Sequence, residues 1–140
     1  MSERLHIAAT VDAPLQTVWD AFNTPADIEA WNHASDDWTC TDVKNDLRVG
    51  GTLSSRMSAK DDSMAFDFGG EYTQVEEGQL LAYRLGDGRG VEVRFTALGP
   101  KQTRVEESFD AENTHPAEMQ QAGWQAILDN FKAHAEAKAR

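Results

Sequence analysis

The chain holds one cysteine, Cys40, so no intramolecular disulfide can staple it. No sequence neighbour of Cys40 would activate a thiolate, and the residue reads as a half-buried small hydrophobe. No stretch approaches the ~20 apolar residues that a membrane-spanning helix needs. The start, Met1-Ser2-Glu3-Arg4, offers neither a hydrophobic signal core nor a small-residue cleavage site, which predicts a cytoplasmic protein. Basic residues are scarce. Lys and Arg number 13 against 24 Asp and Glu, a net charge of −11. Nucleic-acid binding draws on a basic footprint to displace counterions, and this chain lacks one. An anionic membrane surface would repel it too, and the excess acid keeps it in solution.

Catalytic and cofactor motifs are equally sparse. His6, His33, His115 and His134 share no metal-ligand spacing, and Cys40 stands alone, so no metal is expected. Gly86-Asp87-Gly88-Arg89-Gly90 falls between strands, not between a strand and a helix, and is no phosphate-binding loop. There is no nucleophile elbow and no zinc-protease motif, and Ser54, Ser55 and Ser58 have no visible histidine partner. No cofactor is expected.

What is present fits one domain over residues 1–140, with 40% hydrophobic residues to build one core. Leu5, Ile7, Ala9 and Val11 alternate with His6, Ala8 and Thr10, the period of a half-buried strand. Asp12-Ala13-Pro14 stops it. Asp12 is placed to cap a helix carrying Val18, Trp19 and Phe22 on one face, and Thr24 to cap a second short one through Ile28 and Trp31. The middle alternates throughout: a weak strand over 36–43, then Leu53, Ser55 and Met57; Phe66, Phe68, Gly70 and Tyr72; Leu81, Tyr83 and Leu85; Val91, Val93 and Phe95; Thr103, Val105, Glu107 and Phe109. Short turns between these runs predict antiparallel neighbours. His115-Pro116 opens a helix running to about Ala139, with Met119, Trp124, Ile127, Leu128 and Phe131 as its apolar stripe. At ~1.5 Å per residue it would measure about 36 Å, enough to cross the sheet.

This pattern predicts an α+β fold: a curved antiparallel sheet of six or seven strands around a long C-terminal helix, with two short helices after the first strand. One helix covers only a strip of such a sheet. Space remains beside it, lined by large aromatic side chains, and an apolar pocket with a few polar groups is the usual form of a small-molecule site.

Val11-Asp12-Ala13-Pro14 followed by Val18-Trp19, Gly50-Gly51 leading to Met57, and Gly123-Trp124 through Phe131 together resemble the bacterial activator of heat-shock protein 90 ATPase homologue-like family. That family lies within the START, polyketide-cyclase and Bet v-like superfamily. The resemblance implies the helix-grip, or START-like, arrangement over nearly the entire chain, and a cavity. It does not choose a chemistry, because such folds host many. Three roles follow from it. The first is a binding domain for a small, largely apolar ligand. The second is a cyclase or dehydratase-type enzyme. The third is a co-chaperone-like domain, with a chaperone or a second copy of the chain as partner. The co-chaperone role takes its name from larger eukaryotic proteins with an additional N-terminal domain, for which 140 residues leave no room.

The candidate site residues follow from parity and from this resemblance. Trp31-x-His33-x-x-Asp36-Asp37-Trp38 is the densest polar-aromatic cluster, placed by the resemblance beside the cavity mouth. Its tryptophans serve either as aromatic walls or as covers for the core edge. Histidine is the side chain that changes charge most readily near physiological pH, which makes His33 a candidate acid-base or ligand group. Parity puts Glu107 on the apolar face, where a carboxylate needs a partner or a raised pKa. It is a cavity-facing base or ligand anchor, or else it is turned out by a bulge or paired with an arginine such as Arg56. Met57, Phe66, Phe68, Tyr72, Tyr83, Phe95 and Trp124 are core residues that can also line the pocket, the tyrosine hydroxyls as polar points. Gly123 is unfavourable in a helix by about 1 kcal/mol relative to alanine, which suggests a close approach to a strand.

Overall fold

The computed structural model describes residues 4–139, so the start read above as lacking a signal core, Met1 to Glu3, lies outside the described residues. The elements in chain order are β1 (Arg4–Val11), α1 (Leu15–Asn23), α2 (Pro25–Trp31), β2 (Trp38–Asn45), β3 (Thr52–Ala59), β4 (Ala65–Glu76), β5 (Leu80–Leu85), β6 (Gly90–Gly99), β7 (Gln102–Asp110) and α3 (Ala117–Lys138). The seven strands form one antiparallel sheet in the order β1-β7-β6-β5-β4-β3-β2. It curls into a half-barrel around α3, with α1 and α2 closing one end; this is the helix-grip α+β architecture. No helix among the described residues is long and apolar enough to cross a membrane.

The alternation in sequence is the alternation in burial. Leu5, Ile7, Ala9 and Val11 of β1 turn inward, as do Val91, Val93 and Phe95 of β6 and Thr103, Val105, Glu107 and Phe109 of β7. The sheet breaks register between Ala97 and Gly99 near the end of β6, and at two places nearer the cavity wing. One lies between Thr41 and Lys44 of β2, where Asp42 adopts a positive φ of 54°; the other lies between Tyr72 and Gln74 of β4. Such bulges bend a strand and sharpen its twist, and both belong to the β2–β5 wing. Gly70 of β4 lies where a Cβ would stand 3.0 Å from both the Tyr83 ring and the Arg84 carbonyl, so a larger residue would push the two strands apart.

At 22 residues, α3 is about 33 Å long. It is not centred over the sheet. It leans on β1, α1 and α2, and the β3–β5 wing faces it across a gap. Polar side chains set this tilt. Gln121 Nε2 donates to the His6 carbonyl (2.7 Å) and Gln125 Nε2 to the Ala8 carbonyl (3.1 Å), so the helix covers the free edge of β1. Further along, Asn130 Nδ2 donates to the His33 carbonyl (2.5 Å), Glu136 accepts the Asp12 N–H (2.8 Å), and Lys138 pairs with Asp27 (2.8 Å). Leu128, Phe131 and Ala135 are fully buried beneath.

Several local expectations are corrected. Neither Asp12 nor Thr24 caps a helix through its side chain. Pro14 occupies the cap position of α1, and Asp12 instead accepts from Gln102 Nε2 at 3.0 Å. Met119 is 59% exposed and stands off the buried stripe; Gln120 holds that position. A Cβ on Gly123 would meet no atom within 4 Å, so this glycine marks open space instead of a close approach.

Candidate functional site

The gap between α3 and the β3–β5 wing is a cavity of about 510 Å³. The other end of the half-barrel is packed solid. Phe22 stacks near Trp31 (5.2 Å between centroids) and meets Phe131 and Phe95 edge-on (5.1 and 5.3 Å), while Trp19 meets Phe95 at 5.1 Å. Trp31 is fixed by its Nε1–H, which donates to the Ala21 carbonyl at 2.9 Å. Phe22 and Trp31 therefore form the cavity floor. Trp124 forms a wall, stacked on Phe109 with centroids 4.0 Å apart. The exposed lining residues Phe66, His115 and Met119 mark where the cavity opens, beside the start of α3.

Eight of the eleven candidate residues come together here: Trp31, Met57, Phe66, Phe68, Tyr72, Tyr83, Glu107 and Trp124. Three do not. His33 is half-buried between two lining residues, Asn32 and Ala34, but does not itself line the cavity, so the structure does not assemble it with Glu107. Trp38, at the first position of β2, packs edge-on against Phe66 (5.8 Å) at the rim. Phe95 faces inward, but at the packed end, under Trp19 and Phe22.

Glu107 is the unusual group. It is 7% exposed, its register with Ile7 on β1 and Val93 on β6 is unbroken, and among the described residues it has no hydrogen-bond or ion-pair partner. No bulge turns it out, and Arg56 pairs with Asp67 on the outer surface (3.0 Å). No buried side-chain oxygen among the described residues is left both unpartnered and sealed from solvent, so the Glu107 carboxyl oxygens must reach the cavity. Burial pushes its pKa up to about 8, which keeps it mostly protonated at neutral pH. Burial, and then the charge of Glu107, holds the Tyr83 phenol well above its ordinary value. Tyr83 likewise has no partner for its hydroxyl among the described residues, whereas Tyr72 donates to Asn45 Oδ1 at 2.6 Å and Asn45 to the Asn23 carbonyl at 2.8 Å. Burial lifts the Tyr72 pKa to about 12.

Sequence reasoning missed several polar lining residues. The Asn32 side chain reaches the sulfurs of Cys40 (3.7 Å) and Met57 (4.0 Å), and the Ser55 hydroxyl reaches that of Met57 (3.9 Å). Ser55 shares parity with Met57, a signal that was present. Gln120 lines the cavity while binding the Glu112 N–H (2.8 Å) and the His115 carbonyl (2.7 Å), which fixes the loop before α3. Asn32 sits at the C-terminal cap of α2, where no periodicity points to it. Cys40 is buried, and burial raises its pKa, which keeps it a thiol.

A half-barrel gripping one long helix around a lined cavity defines the helix-grip class, and comparison with known proteins is more specific. Residues 12–136 match the family described as Activator of Hsp90 ATPase homolog 1-like protein, and the chain belongs to that family. It is similar to an AHSA1-like protein from Aeromonas hydrophila, solved in solution, at 46% identity and a TM-score of 0.89, covering 97% of this chain and 94% of that one. A protein from Cytophaga hutchinsonii is 47% identical, with a TM-score of 0.83 over 96% and 93% of the two chains. One from Chromobacterium violaceum, at 22% identity and a TM-score of 0.84 over 96% and 98%, shares the fold. No match was found among proteins of curated function.

Proposed function

We propose that the chain is a binding domain that takes a small, largely apolar molecule into the cavity between α3 and the β3–β5 wing. The observation that carries this reading is the pairing of apolar walls with unpartnered polar groups. A cavity of about 510 Å³ lies within the ~300–1,000 Å³ of ordinary small-molecule sites. Its walls are mostly aromatic and aliphatic, and Glu107, Tyr83, Ser55 and Asn32 keep hydrogen-bonding capacity that the described residues leave unused. Burying such groups is unfavourable for folding by about 1–3 kcal/mol each when unmet, which a purely structural core would avoid. An uncharged solvatochromic naphthalene probe should bind one to one and quench emission from Trp31 and Trp124. If neither the probe nor any member of a diverse apolar library binds, the reading is wrong.

A second reading has one observation in its favour. A carboxyl with a pKa near 8, facing a largely apolar cavity, is suited to hold and release a proton at neutral pH. In a cyclase or dehydratase, Glu107 would then act as the acid-base group with Tyr83 beside it, and without His33. Turnover of a bound ligand that is abolished in Glu107→Gln while binding persists would favour this reading. A chaperone partner or a homodimer, the remaining expectations of the resemblance, gains no residue from the cavity.

A further inference from the structure

Building on the binding reading, we propose that the ligand class is an apolar molecule carrying one protonated amine, whose ammonium is received by Glu107 and the Tyr83 hydroxyl. Glu107 is more than nine-tenths buried, aimed into the cavity, and free of any partner among the described residues. Ile7 and Val93 flank it in register on the neighbouring strands, and Trp124, Ile127 and the phenol of Tyr83 line the same cavity. An ammonium brings three donors, and two carboxylate oxygens with the Tyr83 oxygen supply three acceptors.

Anions find no such reception. Among the described residues, the basic groups lining the cavity are Arg89, whose Nε is held by Asp87 at 2.7 Å, and the exposed His115, whose Nδ1 is bonded to Glu112. Neither is a free cation in the depth of the cavity. A bound carboxylate would meet the hydroxyl donors of protonated Glu107 and Tyr83 but no cation to balance its charge. The energetics favour a cation in a further respect. Forming a buried ion pair normally requires stripping water from both partners. Here the fold has already stripped Glu107 of water, so only the amine is desolvated on binding, and as the ammonium enters, Glu107 gives up its proton to solvent and becomes the carboxylate that faces it. The net charge of −11 also raises the local concentration of cations.

The test compares dodecylamine, dodecanol and dodecanoate by calorimetry at pH 7, below their aggregation concentrations, against the full chain, Glu107→Gln and Tyr83→Phe. A charged hydrogen bond of this kind corresponds to a tenfold or greater preference, so the amine should bind about tenfold tighter than the alcohol, with dodecanoate weakest. Glu107→Gln should erase that preference, lowering amine affinity about tenfold more than dodecanol affinity, and Tyr83→Phe should reduce the preference. An amine that binds no better than the alcohol, or dodecanoate that binds as well as either, overturns the inference and leaves the binding reading standing. Equal losses for amine and alcohol in Glu107→Gln also overturn it. Failure of all three ligands to bind overturns the binding reading and this inference together.

Discussion

Replacing Glu107 by glutamine should stabilise the protein at neutral pH, with a pH dependence that identifies the cause. In the folded chain the carboxyl titrates near pH 8; its ordinary value is 4.5. Below about pH 4.5 it is protonated in both folded and unfolded states and contributes no pH dependence. As pH rises, the unfolded chain gives up the proton and the folded chain keeps it, so unfolding becomes more favourable. Stability therefore falls by about 1.4 kcal/mol per pH unit until the folded-state pKa is reached, then levels off. Between pH 4.5 and pH 7 the loss is about 3 kcal/mol. Glutamine is close in shape and never ionises, so Glu107→Gln should match the parent near pH 4 and exceed it by about 3 kcal/mol at pH 7. In a domain of this size that corresponds to roughly 10 °C in Tm. Urea unfolding of both proteins from pH 4 to pH 9 measures the difference directly. A variant less stable than the parent at pH 7, or one whose advantage does not grow with pH, would refute the claim that Glu107 is buried without a partner.

Other consequences are simpler. Phe109→Ala removes a fully buried ring stacked on Trp124 and should cost about 3–5 kcal/mol in denaturant unfolding; a loss under 1 kcal/mol would mean the stack is not part of the core. Gly123→Ala should raise the Tm through helix propensity, by up to about 1 kcal/mol, because its methyl meets nothing. Gly123→Leu should fold while weakening probe binding, because the longer side chain enters the cavity; unchanged affinity would place the ligand elsewhere. Gln125→Ala should cost about 1 kcal/mol by uncovering the β1 edge at Ala8, and chemical denaturation that shows no change would remove this contact from the account of the helix tilt.

Much of the architecture was legible because it rests on periodicity. Alternation in Leu5 to Val11 and in Thr103 to Phe109 gave strands with the correct faces, and parity alone set Glu107 on the inner one. The stripe from Trp124 to Phe131 gave α3. Parity identifies a face but not a position along the barrel. Phe95 has the right parity and lies at the end that Trp19 and Phe22 fill. His33 lies in a connection with no period to read, and its backbone carbonyl, not its ring, is what α3 engages. The space beside Gly123 depends on the tilt of α3 toward β1, which Gln121 and Gln125 set through carbonyls on a strand more than a hundred residues away. No local pattern encodes such a contact.

The central claim is that this cavity receives an apolar ligand, and an NMR titration with dodecanol tests it without any dependence on charge. Saturable one-to-one shifts are expected on Tyr83, Gly123, Trp124 and Ser55, with the outer strand face at His6 and Ser108 unmoved. Shifts confined to the outer surface, or none at dodecanol saturation, would contradict that claim.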